Sequence, residues 1–320
     1  MASSLQRARA LLCAVLWLQL PLRASPLDAT CTVTTVAGAG PYAYGVVDGV
    51  GGNATFNNPF ALALNPRTGS LYISDVCGNA IRIMTAAGVV TTLAGGAPGT
   101  ESFPNSLDPY ANPTGGWVDG VGSNAQFYQP ASLALVGTAT HAGTIVFVAD
   151  CFNHVIRKIT AIGLTTTIAG SGNGGYQNGQ GSNAQFNYPF GIVVNSTGTL
   201  VVADYLNGCL RAVTQAGAVS VYAAQCNTAG GGTTDGLGTN AQILGPIGLA
   251  IDGANVIYVV DNQNLVRRVT PAGLVTTLAG QDGVGGNQDG VGLAASFGTP
   301  YALAINSTGK DLYVSDSGNK

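Results

Sequence analysis

The chain has 320 residues, 46% hydrophobic and only 8% charged, so it can bury a large core, and its 47 glycines imply many tight turns. The formal net charge of −3 and the scarcity of lysine (Lys158, Lys310 and Lys320) leave no basic stripe for a phosphate backbone to neutralise. Nucleic acid is therefore excluded as an expected partner.

At the N-terminus, Arg7 and Arg9 precede an apolar stretch over 10–22 and small residues at Ala24 and Ser25, the layout of a secretory signal peptide spanning 1–24. An uncleaved signal anchor is the alternative, because Leu22 is an imperfect residue for a cleavage site. The apolar run is shorter than the roughly 20 residues of a membrane span, and no later segment is a candidate. A secreted or cell-surface location is expected, with 25–320 as one repeat domain.

Cys13 falls within the signal, which leaves Cys31, Cys77, Cys151, Cys209 and Cys226 in a compartment where disulfides persist. Asn53, Asn195 and Asn306 each begin an Asn-x-Ser/Thr sequon and are expected glycan acceptors; Asn112 is followed by Pro113 and is excluded.

From residue 48 onward one pattern recurs. An Asp-Gly loop stands at 48–56 (DGVGGNATF), 119–127 (DGVGSNAQF), 178–186 (NGQGSNAQF), 235–243 (DGLGTNAQI) and 289–297 (DGVGLAASF). Each leads to a Pro and an apolar run, at 59–64, 130–135, 189–194, 246–251 and 300–305, which reads as a short buried strand. A second strand ends in Asp75, Asp150, Asp204, Asp261 or Asp316, and a third carries an Arg seven residues later, at Arg82, Arg157, Arg211 and Arg268. A Thr-rich fourth strand begins at Val89, Leu164, Ala218 and Leu274.

Four short strands in series cannot cover their own apolar faces, whereas stacking the units around an axis does so and leaves only short edges. An all-β propeller of four complete blades and a partial fifth is predicted; a β-solenoid is the alternative. A catalytic loop is needed once and a structural joint once per repeat, so the recurring glycines are read as positive-φ turns, with Phe56, Phe127, Phe186, Ile243 and Phe297 as plugs between blades.

The string "VADCFNHVIRKIT" at 148–160 and its counterparts resemble the NHL repeat, over roughly residue 32 to the end. Single repeats drift: Asn79 stands one place later than Asn153, Asn207 and Asn264. The resemblance implies a propeller, commonly six-bladed, that acts as a binding platform. The stretch 31–38 (CTVTTVAG) has the sequence of a fourth strand without its first three and is expected to complete the last blade, so the chain reads as an incomplete ring.

In a propeller, the loops after the fourth and second strands share one face. Asp75, Asp150, Asp204, Asp261 and Asp316 thus stand around one rim, either as a ligand surface or as caps for loop amides and partners for Arg. An insertion at 95–117 adds Glu101, Phe103, Asp108, Tyr110 and Trp117 to that rim, a contact surface or a plain insertion.

Catalytic patterns find little footing. Amidating lyases that resemble NHL propellers need several histidines for zinc, and only His141 and His154 exist; lactonase-like propellers use a central Glu, and the only one is Glu101. "GSGNGG" at 170–175 has no following helix to take a pyrophosphate. The stretch 282–290 faintly resembles a calcium loop without the alternating Asp ladder; no other cofactor is expected. Cys209 opens a third strand and Cys226 follows the adjacent fourth, so these two are the expected disulfide, with Cys31, Cys77 and Cys151 left open.

The function expected is extracellular binding of protein or glycan through the rim. The alternatives are a hydrolase or lyase with a site in the central channel, and a structural module of a matrix protein or receptor ectodomain.

Overall fold

A computed structural model describes residues 33–40, 43–96, 115–137, 141–227 and 231–319. The signal-peptide stretch, Cys31, and Glu101, Phe103, Asp108 and Tyr110 of the insertion lie outside these residues.

The described chain is an all-β propeller. Blade 1 runs Pro59–Asn65, Ser70–Asp75, Ala80–Met84, Val89–Gly95, and blade 2 runs Pro130–Val136, Ile145–Asp150, Val155–Ile159, Leu164–Ala169. Blade 3 runs Pro189–Val194, Leu200–Asp204, Cys209–Val213, Ala218–Ala223, and blade 4 runs Pro246–Ile251, Ile257–Asp261, Val266–Val269, Leu274–Ala279. The two strands Pro300–Ile305 and Leu312–Asp316 form the described part of blade 5. Neighbouring strands within a blade pair antiparallel, which rules out the parallel rungs of the solenoid alternative.

Blades 1–4 carry one more strand than the pattern suggests. Gly49–Val50, Gly120–Val121, Gly179–Gln180 and Gly236–Leu237, taken from the Asp-Gly loops, pair with the outer strand of their own blade. Two residues are too few to show an alternation of apolar and polar side chains, so sequence periodicity is blind to them. The glycines have separate duties. At Gly120 an added Cβ would stand 3.0 Å from the Asn124 backbone, and Gly122 holds φ at +59°, a region that side chains resist.

Each inner strand begins at a proline opposite the terminal aspartate of the second strand, and the register shifts immediately after it, as between Pro59 and Ala61. Proline lacks the N–H that a regular ladder needs there, so a bulge at this point costs no backbone hydrogen bond. The next residue points to the axis. Phe60, Ala131, Phe190, Ile247 and Tyr301 share one buried cluster, in which the Phe60, Phe190 and Tyr301 rings meet edge to face with centroids 5.1–5.9 Å apart. Side chains from the inner strands of blades 1, 3 and 5 thus meet where those strands converge.

The seams between blades hold the rest of the core. Phe127 is buried between blades 1 and 2, Phe186 between blades 2 and 3, and Ile243 between blades 3 and 4, each removing about 1.5–3 kcal/mol worth of apolar side chain from water. Phe56 and Phe297 are only half-buried. Residues 33–38 form no ladder, but they flank blade 1 as the outer strand of blade 2 flanks blade 3: the Gly38 N–H donates to the Gly51 carbonyl (3.1 Å), as that of Gly170 does to Gly181.

One expectation needs correcting. The arginine of blade 4 that occupies the place of Arg82, Arg157 and Arg211 is Arg267, not Arg268. The turn after Asp261 is one residue shorter, so Arg267 pairs across from Val259 as Arg211 does from Val202, while Arg268 faces Tyr258. Arg267 is fully buried and Arg268 is partly exposed. Arg267→Leu is expected to cost about 3–5 kcal/mol, because it strands two carboxylates, one of them buried. Arg268→Leu should cost less than about 1 kcal/mol. Urea denaturation of the two variants decides it, and equal losses would refute the assignment.

Candidate functional site

The loop face is built on one repeated clamp. In blade 2, Arg157 Nη1 donates to Asp150 Oδ2 (2.8 Å) and to the Gln126 carbonyl (2.9 Å), while Nη2 donates to Asp119 Oδ1 (2.9 Å) and the Val118 carbonyl (2.8 Å). Arg82, Arg211 and Arg267 repeat the pattern, with Asp48, Asn178 and Asp235 in the place of Asp119. The guanidinium lies 5.0–5.3 Å from the plug ring in blades 1–3, at Phe56, Phe127 and Phe186. Each arginine thereby ties its second strand to both ends of its Asp-Gly loop.

This geometry places the expected rim aspartates. Asp75, Asp150, Asp204 and Asp261 are 0–1% exposed, so they present no surface to a ligand. Besides the arginine, Asp75, Asp150 and Asp204 each accept a backbone N–H, from Asn57, Tyr128 and Asn187. Asp261, on the shorter turn, takes those of Gln263 and Leu265 instead. Asp316 is partly exposed and accepts from Gly298 and Thr299. Trp117 is 42% exposed, and its Nε1–H donates to Thr167 Oγ1 (2.8 Å).

The surface nearer the axis carries a feature that the sequence patterns do not mark. Tyr128, Phe152, Tyr188 and His154 form a chain of partly exposed rings with centroids 5.1, 5.0 and 4.6 Å apart, continued by the partly exposed Leu206. All come from loops of blades 2 and 3. The blade 4 and 5 positions matching Tyr128 are Leu244 and Gly298, and those matching Tyr188 are Gly245 and Thr299, so the aromatic character is confined to one side of the face. The available signal was the pair of residues between each plug and its proline, which holds a Tyr in blades 2 and 3 (Tyr128, Tyr188) and in none of the other three.

The polar chemistry within this patch is subdued. His154 Nδ1 accepts the Tyr188 N–H (3.0 Å), and burial lowers the imidazole below its ordinary pKa. The free Cys151 thiol is fully buried, and burial together with the nearby Asp150 charge raises it well above the ordinary thiol range, against thiolate chemistry. Among the described residues no group of three or more His, Cys, Asp and Glu is placed to hold a metal, the 282–290 stretch included, and no helix is long and apolar enough to cross a membrane.

The disulfide joins Cys209 to Cys226, with Cα atoms 5.0 Å apart. Asn53 is exposed, and Asn195 and Asn306 are partly exposed in turns between strands.

No family model matches the chain. NHL repeat-containing protein 2 of Bos taurus is 29% identical over 290 residues, covering 85% of this chain and 39% of that protein. The chain thus spans well under half the length of the curated relatives it matches. Among solved structures, a chain of a nidogen/laminin complex superposes with a TM-score of 0.52 at 16% identity, over 82% of this chain and 74% of that one. An auxiliary nutrient binding protein from Bacteroides ovatus gives 0.51 at 19% identity, over 89% and 74%. At these identities the likeness is one of fold.

Burial of the clamp aspartates has a consequence in pH. It pushes Asp75 up to about 7 and Asp150, Asp204 and Asp261 to about 6, against the opposing pull of their arginines. In blades 1, 2 and 4 the half-exposed second aspartate still balances the guanidinium when the buried one is protonated. All four values lie above the ordinary 3.8, so between 3.8 and about 7 the folded state holds protons that the unfolded chain has released. Stability should fall as pH rises through that window. His154, shifted downward, opposes this, one group against four. Thermal unfolding should give a lower Tm at pH 8 than at pH 5, with a shallower dependence in Asp75→Asn; a Tm that rises across the window would contradict it.

Proposed function

The chain is an NHL-repeat β-propeller protein, and we propose that it serves outside the cytosol as a binding scaffold whose ligand, a protein or a glycan, is taken by the loop face of blades 2 and 3. The observation that carries this reading is the one-sided run Tyr128–Phe152–Tyr188, partly exposed, with Phe152 and Tyr188 packed against the buried cluster of inner-strand side chains. Aromatic side chains offer large contact area at low conformational cost and concentrate binding energy at interfaces. Trp117 closes the insertion, and Gly115 packs against Tyr128, so residues 115–117 run beside the patch. The Bacteroides ovatus propeller is described as nutrient binding, a use in keeping with a propeller face as a platform.

A location outside the cytosol is supported by the Cys209–Cys226 disulfide, by the layout of residues 1–24 and by three sequons at accessible positions. Glycosidase treatment of protein from the medium of secreting cells should increase its gel mobility, and Asn53→Gln, Asn195→Gln and Asn306→Gln should together abolish that change. Retention of all the protein in the cytosol would sink the location.

Screening the purified chain against extracellular proteins and glycans should yield a saturable ligand. Tyr128→Ala or Phe152→Ala should weaken its binding at least tenfold, about 1.4 kcal/mol, while the folded fraction at the assay temperature is unchanged. Binding that survives both substitutions would place the ligand elsewhere.

A further inference from the structure

The four clamps differ in what lies over them. Two residues before each loop Asp or Asn stand Val46, Trp117, Tyr176 and Thr233. In blade 2 the Trp117 indole lies against Gly172 and donates to Thr167 Oγ1, which itself donates to Asp119 Oδ1 (2.9 Å). In blade 3 the Tyr176 ring lies 4.9 Å from the Arg211 guanidinium, and Phe186 lies 5.3 Å from it. The protein thus covers two of its clamps with its own aromatic rings.

Blade 4 has the same floor and no ring. Thr277 donates to Asp235 through its N–H (3.0 Å) and Oγ1 (2.9 Å), as Thr167 does to Asp119, and Arg267 Nη2 reaches Asp235 at 2.8 Å. With Thr233 in the ring position, a cavity of about 520 Å³ opens here, lined by Thr233, Asp235, Leu265, Thr277, Gln281 and Asp282. The residue matching Gly172, two places after the glycine that follows the outer strand, is Asp282. Its Oδ2 accepts from Thr233 Oγ1 (2.7 Å).

We propose that this vacated ring slot binds a guanidinium group, presented by an arginine side chain. The slot has the place and floor that accommodate a flat N–H-bearing group in blade 2, where the Trp117 Nε1–H meets a threonine hydroxyl matched here by Thr277. It differs from the blade 2 slot by the added carboxylate of Asp282. Arg267 is the one cation of the clamp and already faces Asp235 and Asp261, so Asp282 adds negative charge that this arginine does not offset. A planar group with several N–H donors and a positive charge meets both demands, since guanidinium pairs with carboxylates through a fixed fork of donors. Leu265 and Leu293 supply apolar contact for the face of the group or its methylene stem. An indole offers Asp282 no charge to pair with, and an ammonium would fill little of the space. The site is in blade 4, away from the aromatic run of blades 2 and 3, and does not depend on it.

The test titrates the whole chain with acetyl-Gly-Arg-Gly-amide, its Lys counterpart and free L-arginine at constant ionic strength, following binding by calorimetry and by NMR shifts. The Arg peptide is expected to bind saturably with the Lys peptide at least tenfold weaker. Thr233→Trp, which refills the slot, and Asp282→Asn, at an exposed position, should each lower affinity at least tenfold with the Tm held or raised. Free arginine binding as well as the peptide would assign the site to the small molecule; preference for the peptide would assign it to a protein partner. Absence of saturable binding, equal affinity for the Lys peptide, or undiminished binding in folded Thr233→Trp would each overturn the proposal.

Discussion

The buried guanidinium is the constraint on which this propeller turns. A charge removed from water costs several kcal/mol unless its donors are met, and each clamp meets four contacts of the two terminal nitrogens with two carbonyls and two side chains. Those partners lie on the second strand and at both ends of the Asp-Gly loop. Satisfying these terminal nitrogens, while each Nε stays buried without a partner among the described residues, therefore sets where the loop runs and where the plug residue enters the seam between blades. The loop glycines, the bulged prolines and the Phe or Ile plugs accommodate that arrangement.

Because the clamp recurs, its residues are poor candidates for a specific ligand. The four buried aspartates have strongly raised pKa values, a mark often taken for a functional site, yet their cause is burial in a structural pair. Departures from the repeat are more informative. The rings of Tyr128, Phe152 and Tyr188 gather on one side, and the Trp117 and Tyr176 covers have no aromatic counterpart at Thr233. A scaffold made of equal units acquires a direction only through such unequal residues.

Much of the architecture was legible in the residues. Pro at the head of the inner strand, Asp at the end of the second and the Thr-rich outer run each have a local cause in backbone chemistry, and all stand where the pattern puts them. The Cys209–Cys226 bond followed from adjacency in a hairpin-like order. The two-residue outer strands were not legible, nor was the exchange of Arg268 for Arg267, because a turn shortened by one residue changes register without changing composition. For the aspartates the residues left two readings open, a ligand surface or caps and arginine partners, because position in a loop gives topology and not depth.

By itself the sequence determined the repeat, the strand order within a blade and the propeller that follows, since these rest on periodicity and on what Gly and Pro allow the backbone to do. Only the tertiary structure decided which side chains are accessible. Burying Asp75, Asp150, Asp204 and Asp261 under their arginines, joining the rings of Phe60, Phe190 and Tyr301 across the axis and leaving a slot open above Arg267 all depend on residues far apart in the chain meeting at fixed distances. Local patterns encode the conformation of a segment, but burial and cavities arise from how segments pack, and no single segment carries that information.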